Sequence, residues 1–142
     1  MSPGWWVLLA AVLVTAVLGL AHRARQGGIR PPKGGGASVL DLPAELRERL
    51  DGEARVTLLQ LSTTFCAPCR HTRVLLDDLA RRTDGLRHVE VDLAHHPEWS
   101  TTLRVHTTPT TLVLDSGGEE LFRIGGVPRR DALAEALRPL LA

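Results

Sequence analysis

Phe65-Cys66-Ala67-Pro68-Cys69-Arg70 is the stretch that decides the fold, because it holds the only two cysteines of the 142-residue chain. Two residues separate the cysteines, a spacing typical of a redox-active dithiol. Residues 55–62, just upstream, are rich in leucine and β-branched side chains and predict a buried strand. Residues 66–82 predict a helix whose apolar face holds Val74, Leu75, Leu76 and Leu79. A cysteine at the start of a helix faces unpaired N–H groups and the positive end of the helix dipole. The sequence therefore predicts a thiolate that is populated near neutral pH.

The segments that follow predict an α/β domain with a central mixed sheet flanked by helices. A strand over 86–92 completes a β-α-β unit with two parallel strands. Residues 110–115 and 119–124 flank Ser116-Gly117-Gly118 as a hairpin. Further helices are predicted at three places, namely after Asp41 as a capping residue, from Pro97 to about Arg104, and from Pro128 to the end.

The charge balance argues against nucleic acid as a partner. From Asp41 onward there are thirteen basic and sixteen acidic residues, so this part carries a net charge of about −3. Nucleic-acid-binding domains usually present a clustered basic face. The length leaves room for one domain of about 100 residues with appendages.

The N-terminal part predicts a membrane anchor. Residues 5–21 form an uncharged run that as a helix is about 26 Å long, close to the roughly 30 Å of a hydrocarbon core. Trp5 and Trp6 lie at the start of the run, and basic residues follow its end. Both kinds of residue are expected at the two interfaces between membrane and water. A cleaved signal peptide, ending near Gly19-Leu20-Ala21, is the alternative. We favour the anchor, because the basic residues lie after the apolar run instead of before it.

The expected organisation is a tail over 1–4, a transmembrane anchor over 5–21, a basic Gly/Pro-rich linker over 22–37 and a domain over 38–142. The linker composition predicts partly stiffened coil. Positive charges that follow the anchor favour the cytoplasmic side of a bacterial cell membrane for the domain over the alternative, the extracytoplasmic side; they are His22, Arg23, Arg25, Arg30 and Lys33.

The order of strand, Cys-x-x-Cys helix, strand, helix, Thr108-Pro109-Thr110, hairpin, Gly125 and helix resembles the thioredoxin family over about residues 40–142. The resemblance implies a thioredoxin-like fold, preceded here by one transmembrane helix. It implies that Cys66 is the exposed nucleophile, that Cys69 is the buried resolving thiol and that Pro109 is cis and faces the dithiol. The substrate groove that it implies is formed by Phe65, Ala67, Pro68, Thr108, Pro109 and Gly125.

Two positions depart from the family pattern. Gln60 stands where thioredoxins usually carry a buried Asp, and Phe65 stands where they usually carry a Trp. Without the acid, water or another group must remove the proton of Cys69.

The predicted function is that of a membrane-tethered thiol-disulfide oxidoreductase that reduces protein disulfides, without a cofactor or metal, as a monomer supplied by a dithiol electron donor. One alternative is a non-catalytic binding module for a membrane partner. Another is a Cys/His metal site completed by His71, His95 or His96. His88 is expected to be a partly exposed polar residue, and the alternative is that it approaches the edge of the dithiol.

Overall fold

A computed structural model describes residues 3–31, 41–50 and 52–142. Ten elements follow one another in these ranges: α1 (Pro3–Arg25), β1 (Ile29–Arg30), α2 (Ala44–Leu50), β2 (Val56–Ser62), α3 (Ala67–Arg81), β3 (Leu86–Asp92), α4 (Glu98–Thr102), β4 (Thr110–Asp115), β5 (Glu120–Gly125) and α5 (Arg130–Leu141). The predicted strand and dithiol-helix positions agree with these bounds to within one residue.

The sheet has the order β1-β5-β4-β2-β3, with β2 flanked by β4 and β3. β2 runs parallel to β3 and antiparallel to β4, so the sheet is mixed as predicted. The parallel pair is joined through α3, as expected for a β-α-β crossover.

Every residue of β2 is buried, because apolar clusters cover both faces of the sheet. Successive side chains of a strand point to opposite faces. Leu59 and Leu61 accordingly join a cluster with α2 and α4, whereas Val56 and Leu58 join a cluster with α3 and α5. The sheet is thereby held rigid where its strands end beside the cysteines.

Three details of the sequence prediction are wrong. α2 begins at Ala44, so Asp41 lies outside the helix and does not cap it, and α5 begins at Arg130 instead of at Pro128. Val74, expected on the apolar face of α3, is an exposed large hydrophobic residue; Leu76 and Leu79 form the buried face.

The N-terminal segment differs from the expected linker. α1 continues past residue 21 to Arg25, and residues 29–30 form β1, which pairs antiparallel with β5. The linker positions 32–37, and the predicted domain start at 38, lie outside the described residues. Within the described part, the segment after α1 is therefore attached to the sheet.

α1 is long and apolar enough to cross a membrane, a property that signal sequences share. It contains the predicted anchor over 5–21, and none of its residues is buried. Its basic residues are in the last turn, where His22, Arg23 and Arg25 lie.

Candidate active site

Cys66 and Cys69 form a disulfide at the start of α3. Cys66 is the N-cap residue, with extended backbone angles, and the Cys69 N–H donates to Cys66 Sγ over 3.2 Å. Pro68 is tolerated here because the first N–H groups of a helix have no partner within the helix. Cys66 is half-buried, whereas Cys69 is only 2% exposed.

Phe65 projects fully into solvent immediately before the dithiol. Its φ of 62° lies in the left-handed region, which is uncommon for a bulky residue. Ala67 and Pro68 are also exposed. This side of the dithiol is therefore open to an approaching chain.

The loop before β4 lies against the loop that carries the cysteines. The Thr108–Pro109 bond is cis, as the resemblance implied, and the Thr63 and Thr108 hydroxyls are 3.2 Å apart. Pro109 O accepts the N–H of Gly126 over 2.8 Å, and Thr110 pairs with Gly125. The antiparallel pairing of β4 with β5 thus brings residues 108–110 and 125–126 together at one end of the hairpin.

Beside the disulfide lies a cleft of about 520 Å³ that both cysteines and Phe65 help to line. Its charged lining residues are Arg70, Arg73, Glu90 and Asp92. Arg73 is paired with Glu90, and that pairing raises the pKa of the guanidinium above its ordinary value. The pKa of Asp92 is lowered, because the Ala94 N–H and the Thr64 hydroxyl donate to its carboxylate.

Gln60, at the position of the family's buried acid, is fully buried and makes three hydrogen bonds. Its Nε2 donates to the Cys69 carbonyl over 2.8 Å and to Ser62 Oγ over 3.0 Å. The Cys69 carbonyl fixes the orientation of the amide, so Oε1 faces His88 Nε2, which donates to it over 3.0 Å. Ser62 Oγ in turn donates to Glu90 over 2.8 Å.

His88 is half-buried as a residue, in line with the expectation, but the structure gives its imidazole ring specific partners. Its side chain is 5% exposed, and its second ring nitrogen lies 3.3 Å from Asp77. The position of His88 in a strand predicts only that it is half-buried. Its partner, Gln60 in β2, is 28 residues away, so no local pattern predicts the contact. Sequence reasoning therefore named His88 but did not predict its bond to Gln60, the residue that donates to the carbonyl of the resolving cysteine.

The metal-site alternative has no support in residues 3–31, 41–50 and 52–142, where no three His, Cys, Asp or Glu side chains are grouped to hold an ion. His96 stacks on Trp99, and His95 lies 3.9 Å from Asp92. His71 is exposed on α3. These histidines are not gathered around the cysteines.

A cysteine pair that closes into a disulfide at a helix start, beside a cis-proline loop, defines the thiol-disulfide oxidoreductases. Comparisons with known proteins give the family. The thioredoxin family profile matches residues 39–139, and the chain therefore belongs to the thioredoxin family. Like its family, it is a thiol-disulfide oxidoreductase that acts on protein disulfides.

Individual relatives agree with this assignment. The chain is 29% identical to thioredoxin H2-1 of Oryza sativa over 96 residues, which is 68% of each chain. It is 29% identical to a thioredoxin of Staphylococcus epidermidis over 86 residues, covering 60% of this chain and 82% of the relative. Among solved structures, a mutant thioredoxin from Halobacterium salinarum superposes with a TM-score of 0.62 at 18% identity, over 72% of this chain and 88% of the other.

Proposed function

We propose that this protein is a membrane-anchored reductase of protein disulfides in which Cys66 is the nucleophile and Cys69 the resolving thiol. One observation carries the assignment of roles: Cys66 is half-buried, whereas Cys69 is almost completely buried. A substrate disulfide can therefore reach only the outer sulfur. The Cys69 N–H that contacts Cys66 Sγ supports the thiolate form of the nucleophile once the pair is reduced.

The reaction has two exchange steps. The Cys66 thiolate attacks one sulfur of the substrate disulfide; the substrate S–S bond breaks, a mixed disulfide forms and the other substrate sulfur leaves and takes up a proton. Cys69 then gives up its proton and attacks Cys66 Sγ, which releases the second substrate thiol. Two electrons have passed to the substrate, and the Cys66–Cys69 disulfide remains. A dithiol donor returns the pair to the reduced state.

The substrate groove consists of Phe65, Ala67 and Pro68 on one side and of Thr108, Pro109 and Gly125 on the other. Phe65 offers an exposed aromatic anchor beside the nucleophile. The backbone of Thr108 is placed to pair with an extended peptide in the manner of an added strand. The proximity of Thr108 to the cysteine loop supports this arrangement.

The reducing direction is supported by the sequence between the cysteines. Potentials of this class range from about −270 mV in reducing members to about −120 mV in oxidising ones. Ala67-Pro68 resembles the reducing members through its proline. Equilibration of the full chain with glutathione buffers measures the potential directly, and we expect a value near the reducing end.

We assign α1 as an uncleaved anchor with the domain on the cytoplasmic side. The basic residues in the last turn of α1 support this orientation, because positive charge accumulates on the cytoplasmic side of membrane helices. A C-terminal alkaline phosphatase fusion should be inactive, and a membrane-impermeant maleimide should not label Cys66 in intact, reduced cells. Active phosphatase together with labelling would place the domain outside.

Paired cysteine variants test the catalytic roles. Cys66→Ser should abolish disulfide reduction, whereas Cys69→Ser should accumulate mixed disulfides on non-reducing gels, because attack still occurs and resolution does not. Full activity of Cys66→Ser without adducts in Cys69→Ser would contradict the assignment. Slow alkylation of reduced Cys66 at neutral pH would favour a non-catalytic binding module instead.

A further inference from the structure

The segment that leaves α1 is bound to the sheet edge next to the groove. Gly27 N donates to Gly125 O over 2.8 Å, and Ile29 and Arg30 pair with β5. Gly27 is buried, and its φ of 72° belongs to the left-handed region. A Cβ at this position would lie well inside contact distance of Val127 O, so only glycine fits.

This contact lies at the same end of the sheet as the dithiol. Gly126 N donates to Pro109 O, and Pro109 belongs to the loop that touches the cysteine loop through Thr108. A Cβ built on Gly126 would lie 3.6 Å from Gln26. Gln26 and Gly27 therefore border the groove on its Gly125 side.

The distance from the helix end to this contact is short. α1 ends at Arg25, and Gly27 is two residues further on. Two extended residues span at most about 7 Å. Whatever direction α1 takes, its C-terminal end lies within that reach of Gly27, which is bonded to Gly125.

We propose that the groove faces the membrane surface and that its substrates are disulfides of membrane-anchored proteins exposed at that surface. The proposal deepens the proposed function and rests on its anchor assignment. With α1 in a bilayer, its last turn is at the interface, so the groove border is held close to the lipid headgroups.

Charge supports the same orientation. A Cβ added to Gly27 would meet Val127 and Pro128, so these residues lie beside it, and the next residue, Arg129, is exposed. Arg23, Arg25 and Arg30 on the N-terminal segment are exposed as well. Basic side chains near a membrane are attracted to anionic headgroups. These arginines give the segment after α1 and the Gly125 side of the groove basic side chains that a negatively charged lipid surface attracts, whereas the carboxylates of the cleft, Glu90 and Asp92, lie on the β3 side.

The test uses the full chain reconstituted in vesicles of phosphatidylcholine with a minor fraction of phosphatidylglycerol. The probe is a disulfide-bonded fluorescent peptide, supplied either on a short lipid anchor, on a long flexible lipid anchor or free in solution. A Gly/Ser insert of about 20 residues between Arg25 and Gln26 frees the domain from the surface, with a reach of roughly 25 Å. The matched control carries the same insert between Gly34 and Gly35, after β1, where it leaves the contact between Gly27 and Gly125 in place.

We expect the unmodified chain and the control to reduce the short-anchored probe about tenfold faster than the long-anchored one, because the local concentration of reachable disulfide is higher. The Arg25/Gln26 insertion should abolish that preference and leave reduction of the free peptide unchanged. Equal rates on both anchored probes by the unmodified chain, or an unchanged preference in the Arg25/Gln26 insertion, would overturn the proposal. If the unmodified chain does not reduce the free peptide, the redox function is refuted instead. If the unmodified chain does not float with the vesicles, the anchor is refuted, and this proposal with it.

Discussion

The two sides of the dithiol are held by different kinds of hydrogen bond. On the β4–β5 side, backbone groups make two of the contacts, Gly126 N to Pro109 O and Gly27 N to Gly125 O, and the Thr63 and Thr108 hydroxyls add one contact between side chains. On the β2–β3 side, they join side chains: His88 to Gln60, and Ser62 to Glu90. Backbone contacts depend on chain geometry and survive most substitutions, whereas each side-chain contact depends on the identity of two residues. Stability on the β2–β3 side should therefore depend more strongly on substitutions, on pH and on the polarity of the substituted side chain.

The largest expected effect is that of Gln60→Leu. Leucine is similar in size but leaves the Cys69 carbonyl, Ser62 and His88 without their shared partner. A buried polar group that loses its hydrogen-bond partner destabilises the folded state by about 1–3 kcal/mol. We therefore expect the free energy of unfolding to fall by roughly 3 kcal/mol. Denaturant unfolding of the full chain in detergent measures it.

Thr111→Val is the matched control for that variant. Thr111 pairs with Gln60 across β2 and β4 and is fully buried, but its hydroxyl has no hydrogen-bond partner among the described residues. Its replacement should be neutral or stabilising. Equal losses for the two variants would show that packing, not hydrogen bonding, determines the stability of this side.

The sequence predicts the two sides of the dithiol unequally. The Cys66–Cys69 spacing and the Pro109 and Gly125 positions are local patterns, so the β4–β5 side follows from the family resemblance. The Gln60–His88 contact joins residues 28 apart, and it depends on a strand register that no local pattern determines. β1 has only two residues, too few for an alternating pattern, so the sequence alone places residues 29–30 in the linker.

A second substitution at the same position, Gln60→Asp, tests the resolving step. If a buried acid near Cys69 accepts its proton, resolution of a preformed mixed disulfide should become roughly tenfold faster or more near neutral pH, at some cost in stability from the buried carboxyl group. Single-turnover rates across pH measure this effect. Gln60→Asn gives a side chain of the same length as Asp without an ionisable group, and an identical rate profile for the two variants would rule out a role for the acid.

On the β4–β5 side, the sensitive position is a glycine. Gly27→Val introduces a side chain at positive φ against Val127 O, and we expect a cost of about 1–2 kcal/mol, confined to the N-terminal contact. Hydrogen exchange of residues 26–30 should then be about tenfold faster, with the unfolding midpoint of the domain little changed. Gly28→Val is the control, because Gly28 is exposed and the nearest atom to its added Cβ lies 3.7 Å away. Similar exchange in both variants would mean that the segment does not depend on Gly27.

The smallest expected effect is a pH dependence confined to the β2–β3 side. Donation from the Ala94 N–H and the Thr64 hydroxyl lowers the pKa of Asp92 in the folded protein below its ordinary value. A lowered folded-state pKa contributes stability above the unfolded-state pKa, and this contribution is lost as the pH falls through the folded value. The difference in melting temperature between the unmodified chain and Asp92→Asn should therefore shrink between about pH 5 and about pH 3. Glu135→Gln, on the exposed surface of α5, removes the same charge as a control. A difference in melting temperature that stays constant across that range would show that the charge of Asp92 does not stabilise the fold. The two sides of the dithiol would then respond alike to acid.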